Sequence, residues 1–184
     1  MESRRSVGQG VKACGLLLLF LLLAFVFYFF DVGRLIYVAL VFCSAGFLVF
    51  ELFFDASGKS VRRAALAGLF LLAFDFAVES AGGILGFWAS HGSVFMAGFV
   101  PVEIMIVCLL GGTAWALYLP KAFNLGFSVF DVLFFSFFGS FGESLLVRSG
   151  VMSYSSGWTV LHAFLGYAFT WMILHLLRYK VLEV

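Results

Sequence analysis

Six apolar runs follow one another along this chain, each close to the ~20 residues an α-helix needs to cross a bilayer. They cover approximately residues 14–30, 35–54, 64–88, 101–119, 128–147 and 158–177. In lipid every backbone polar group has to be paired internally, so runs of this kind form helices that satisfy their own N–H and C=O groups. The links between them are short, which makes neighbours antiparallel. The expected fold is therefore an all-α integral membrane protein, a six-helix bundle forming a single transmembrane domain over residues 1–184.

Composition decides what the bundle is not. With 64% hydrophobic and 11% charged residues there is too little polar surface for a soluble domain, and a net charge of +1 offers no basic patch for nucleic acid. The 26 Phe are spread over every run, as lipid-facing and interhelical filler. Cys14, Cys43 and Cys108 fall in separate runs with no CxxC, which argues against a disulfide framework or a zinc site. The start, MESRRSVGQGVKACGLLLLFLLLAFVFYFF, lacks a small-x-small cleavage site and is read as a retained first span.

Lys and Arg set the orientation. Arg4, Arg5, Lys12, Lys59, Arg62, Arg63, Lys121, Arg178 and Lys180 gather on one side, against Arg34 and Arg148 on the other. By the positive-inside rule both termini are cytoplasmic, and loops 31–34, 89–100 and 148–157 lie opposite. The turn cluster at 55–59, Pro101 at a helix start and Pro120 at a helix end punctuate the spans. The expected location is a multi-pass place in a prokaryotic cell membrane rather than an organelle.

Against this background the stretch from Asp75 to Glu103 stands out. A carboxylate at the middle of a membrane helix costs about 2.5–3.5 kcal/mol on insertion scales, so it is rarely there without a partner or a task. Asp75, Glu79, Gly82 and Gly86 recur at i, i+4, i+7 and i+11 and share one helix face. Gly139, Glu143 and Gly150 do the same in the fifth run. Glu79-Ser80 with Gly86 is echoed 64 residues later by Glu143-Ser144 with Gly150, which suggests that spans three and four repeat as spans five and six. At ~1.5 Å per residue both glutamates lie roughly 20 Å into their helices. Glu103 and His162 enter the following spans from the same side, so four ionisable groups should converge on one layer, with Asp75 about a turn deeper.

These groups admit two readings. Burial and mutual repulsion favour a protonated acid able to give a proton to a substrate; alternatively each glutamic acid ties helices together as a neutral hydrogen-bonding group. His162 either shuttles protons or sits at the interface. His91 and His175 read as structural, and Asp131 and Glu51 as groups near the cytoplasmic ends that snorkel to water. Trp88, Tyr154 and Trp158 read as an aromatic belt. Trp115 and Trp171 are deeper, where they could line a cavity and stabilise a carbocation.

The pattern D-x-x-x-E-x-x-x-x-x-x-G-F-W from Asp75 to Trp88, followed by Pro101-Val102-Glu103, resembles the small membrane carotenoid enzymes of the heterodimeric or fused lycopene cyclase type. ESLLVRSGVMSY, from Glu143 to Tyr154, is similar to the E-x-x-x-V-x-x-G segment of the related carotenoid hydratases. The resemblance implies that Asp75 and Glu103 are matching acids, although Ile104 stands where the cyclase P-[LV]-E-E motif has its second glutamate. GESLLVRSG with WTVLH is also similar to the intramembrane CAAX-type proteases, which would imply Glu143, Arg148 and His162, with Ser144 in place of their second glutamate.

The expected function is proton-initiated cyclisation or hydration of a long isoprenoid or carotenoid-like lipid in the bilayer. Asp75, Glu79, Glu103, Glu143 and His162 would be catalytic, and Gly82, Gly86, Trp88, Trp115, Tyr154 and Trp171 would hold the substrate. No cofactor and no metal are expected. The alternatives are a proton- or cation-coupled carrier or channel using the same acids, and a structural membrane subunit.

Overall fold

The computed structural model describes residues 14–19, 21–23, 25–26, 29, 35–54 and 60–184. Arg4, Arg5, Lys12, Arg34, the turn at 55–59 and parts of the expected first span lie outside the described residues. The chain divides into two compact units, Met1–Val32 and Gly33–Val184. The first contains an apolar helix, Cys14–Leu23 (α1), and further along it the Phe25 and Phe29 rings lie 4.6 Å apart, one turn from each other.

The second unit holds α2 (Leu35–Phe54), α3 (Val61–Leu85), α4 (Val102–Tyr118), α5 (Leu125–Arg148) and α6 (Val160–Leu176), which continues as a π-helix over Leu177–Leu182. Among the described residues four helices, α2, α3, α5 and α6 with its π extension, are long and apolar enough to cross a membrane; α4, with 17 residues, is shorter. Large apolar side chains point outward all round, with Phe42 73%, Phe53 82%, Leu69 50%, Phe137 56% and Phe169 57% exposed. An exterior this apolar is what a bilayer, rather than water, accommodates.

α3 packs on α4 and α5 on α6, two antiparallel hairpins, with α2 against α4. The α3–α4 contact is close because small residues face each other: a Cβ added to Gly112 would lie 3.0 Å from the Gly68 Cα.

Caps move the helix limits away from those hydropathy suggests. α3 begins at Val61, not at 64, because Ser60 accepts a hydrogen bond from the Arg63 N–H at 3.3 Å. It ends at Leu85 rather than running to Trp88, because Gly86 is left-handed (φ 68°) and turns the chain out of the helix. There Phe87 N–H donates to Gly82 C=O at 2.9 Å and Gly86 N–H to Gly83 C=O at 3.2 Å, the paired bonds of a Schellman motif. α5 repeats each device 64 residues on. Asn124 accepts from the Phe127 N–H at 3.0 Å, Gly150 has φ 70°, Val151 N–H donates to Leu146 C=O and Gly150 N–H to Val147 C=O, each at 3.1 Å. α4 stops at Tyr118 because Leu119 must be extended (ψ 146°) ahead of Pro120.

The two long loops are not plain coil. Trp88–Ser90 (β1) follows α3, and Met152–Tyr154 (β4) follows α5; they pair antiparallel with Trp88 opposite Tyr154, Ala89 opposite Ser153 and Ser90 opposite Met152. Flanking bonds extend the ladder symmetrically: His91 N–H donates to Val151 C=O at 2.7 Å, and Ser155 N–H to Phe87 C=O at 2.8 Å. A second, smaller ladder pairs Met96–Ala97 (β2) with Val100–Pro101 (β3) ahead of α4. Runs of two or three residues are too short to show the period-2 signature of a strand, so hydropathy alone does not reveal them.

Candidate functional site

Asp75 and Glu79 lie one turn apart on α3, and Glu143 occupies the corresponding depth of α5. All three line one cavity of about 50 Å³, together with Tyr37, Ser90, Ile104 and Tyr167. Every helix from α2 to α6 contributes to its wall, and so do β1, β3 and β4.

The paired strands supply the donors. Trp88 Nε1–H donates to Glu79 Oε2 at 2.8 Å, and Tyr154, directly across the ladder, donates its hydroxyl to Glu143 Oε2 at 2.5 Å. Each strand thus returns to the acid of the helix it follows. Gly82 makes the first return feasible, since the Trp88 indole lies where a Cβ would stand. Gly139 does the same for α6, a Cβ there falling 2.8 Å from the Tyr167 ring. Tyr167 is also within hydrogen-bonding reach of Glu143, and the Cys108 thiol lies beside Asp75, whose Oδ2 is buried with no partner among the described residues. Tyr37, on α2, is 1% exposed and donates to Val151 C=O at 3.4 Å, bracing the turn beneath β4.

Not all of the expected layer assembles. Glu103 turns away from the cavity, where Ile104 takes the neighbouring place; its Oε1 accepts from Val94 N–H at 2.9 Å and its Oε2 from the Ser93 hydroxyl, so it ties down the loop before β2. His162 is exposed, with its Nδ1 2.8 Å from Thr159 Oγ1 and its ring stacked on Trp158. Both sit in the first turn of their helices, where the side chain serves the entering loop. Trp88 does not belong to an interfacial belt: it is 8% exposed and held inward by Glu79. Gly86 shapes the turn, and its carbonyl accepts from the Ser156 hydroxyl at 2.9 Å.

No protein-family model, curated protein or solved structure matches the chain.

A second polar cluster lies toward the other end of the bundle. Asp131, 1% exposed, accepts from Trp115 Nε1–H at 2.8 Å and faces His175 Nε2 at 2.9 Å. Asp131 and Glu51 are both buried, so neither snorkels to water. Trp115 serves this cluster rather than the acid cavity; its ring lies 5.2 Å from that of Trp171, which packs on Phe135 at 4.5 Å. The spacing of Asp131 and His175, 44 residues apart on different helices, gives no local signal; only the cost of two ionisable groups in apolar runs points to a pairing. Tyr37 and Tyr167 carry a similar signal, a polar tip in an otherwise apolar run.

Proposed function

We propose that the chain is a multi-pass membrane protein with six spans, built from two copies of a helical hairpin, and that the acids held between the copies bind and pass protons across the bilayer. The observation that carries the reading is the cavity, where carboxyl groups from both hairpins share about 50 Å³. That is room for a water molecule or two, a water's share of the liquid being about 30 Å³. Among the described residues no Lys or Arg lines it. Half-buried carboxyls with no cation beside them among the described residues are best satisfied by sharing protons among themselves, with their neighbours and with a bridging water.

The duplication is supported by the equal 64-residue offset of the N-caps, the left-handed glycines, the paired C-terminal bonds and the two strands. Because α3 and α5 run in the same sense, the pseudo-two-fold axis lies along the membrane normal, as in transporters with parallel repeats. The nine-to-two distribution of Lys and Arg supports cytoplasmic termini, with the strand ladder on the far side.

The test is proton flux into liposomes after a pH step, with a potassium ionophore to relieve charge build-up. Wild type should acidify the lumen well above empty vesicles, Glu79→Gln and Glu143→Gln should fall to the vesicle background, and the exposed Glu183→Gln should match wild type. Undiminished flux in the Glu79→Gln, Glu143→Gln double variant would sink the proposal.

The isoprenoid cyclase or hydratase is the second reading, favoured by the apolar Ile104, Leu146 and Met152 beside the acids. It needs a longer space than the cavity offers, and is tested by seeking cyclised or hydrated product from an isoprenoid that is lost with Glu79→Gln.

A further inference from the structure

At the end of the bundle away from the strand ladder, an open groove of about 650 Å³ runs along α5, α6 and the π-helix. Its walls are apolar, and Leu125 67%, Val129 51%, Leu133 52%, Met172 50% and Leu176 63% exposed place them on the flank that a bilayer would cover. Lys121, just before α5, and Lys180, on the π-helix, line the same groove, and both are exposed.

Two polar groups in its lining are buried yet unsatisfied. Ser128 (5% exposed) and His175 (6%) both line the groove, and among the described residues neither Ser128 Oγ nor His175 Nδ1 has a hydrogen-bond partner. The free nitrogen follows from its neighbour: Asp131 already accepts from Trp115, and His175 Nε2 faces the same carboxylate oxygen. That contact occupies Nε2 and leaves Nδ1 on the other side of the ring. A polar occupant of the groove would satisfy them once either side chain turned toward it.

We propose that this groove holds one anionic glycerophospholipid from the leaflet at the basic end of the bundle. Lys121 and Lys180 hold its phosphate, Ser128 donates to an ester carbonyl, His175 Nδ1 pairs with a polar group of the headgroup, and an acyl chain lies against Val129, Leu133 and Met172. Two cations above an apolar wall complement this amphiphile; a soluble anion would leave the wall uncovered, and a neutral lipid would leave the lysines unused. Among the described residues the site shares none with the acid cavity.

Detergent-purified full chain is exchanged into mixtures of phosphatidylglycerol and phosphatidylcholine, and bound lipid is counted by native mass spectrometry. Wild type should retain one phosphatidylglycerol in preference to phosphatidylcholine. Lys121→Gln with Lys180→Gln should lower retention roughly ten-fold. Val129→Trp, which fills the groove without touching charge, should lower it as well, and millimolar inorganic phosphate should not displace the lipid. Equal retention of the two lipids, no effect of the lysine pair in a variant with wild-type melting temperature, or displacement by phosphate would each overturn the proposal.

Discussion

An indole holds Glu79 and a phenol holds Glu143, and this makes two similarly placed acids chemically unequal. Indole N–H can only donate, whereas a phenol hydroxyl donates and accepts and so can hand a proton on. Burial pushes the Tyr154 hydroxyl well above its usual range, and Glu143 beside it pushes the same way. A raised value keeps the proton on through roughly pH 5 to 9, so Tyr154 contributes no alkaline limb to a rate profile there. If protons pass through the cavity, Tyr154→Phe should slow flux about ten-fold, on the scale of a lost charge-assisted hydrogen bond. Trp88→Phe should slow it only about two- to three-fold. Equal losses in the vesicle assay would mean that both donors merely tie the acids down. At this scale the pairing of Glu79 with Glu143 was legible, because helical rise converts position into depth. The absence of Glu103 and His162 from the cavity was not, since a first-turn side chain can serve its loop or its helix and spacing does not say which. Asp131 with His175 escaped for a related reason: partners on different helices leave no periodic trace.

The helices owe their limits to a few end residues. Ser60 and Asn124 each accept one otherwise orphaned N–H at the start of a long apolar helix. Replacing either with Ala should cost about 1 kcal/mol, read as loss of thermal stability in detergent. Under the duplication the two losses should be alike and additive, because the caps belong to separate hairpins; a cost at only one position would count against equivalent halves. Hydropathy located α2 to α6 to within a few residues because apolar length is a strong signal. It misjudged the ends of α3, placing its start three residues late and its end at Trp88, because a serine cap and a left-handed glycine outweigh the apolar character of the residues they include or exclude. The strands were invisible for want of length.

For the molecule as a whole, the membrane-compatible character was plain from its apolar runs, and the 64-residue echo is the sequence's ground for the proposed duplication. What joins the two hairpins was not readable: a ladder of three residue pairs between return loops, closing over the acids. Ser90 and Met152 sit opposite each other between the flanking hydrogen-bonded positions, the closely spaced kind of antiparallel pair. Cysteines at both positions, in a background with Cys14, Cys43 and Cys108 replaced by Ala, should therefore form a disulfide. If the halves must rock for protons to cross, oxidation should stop flux and reduction should restore it. Flux unaffected by a fully formed crosslink would confine the motion to side chains.

The ladder also bears on where such a molecule could come from. Shifted by 64 residues, each strand falls on the one opposite it, so the pairing is self-complementary about Ala89 and Ser153. A ladder with that symmetry can close between identical chains in the same register as within one. A single hairpin of about half this length would carry, in its own return strand, the means of finding a second copy of itself, and the join between α4 and α5 would then be a tether added to an assembly that already held.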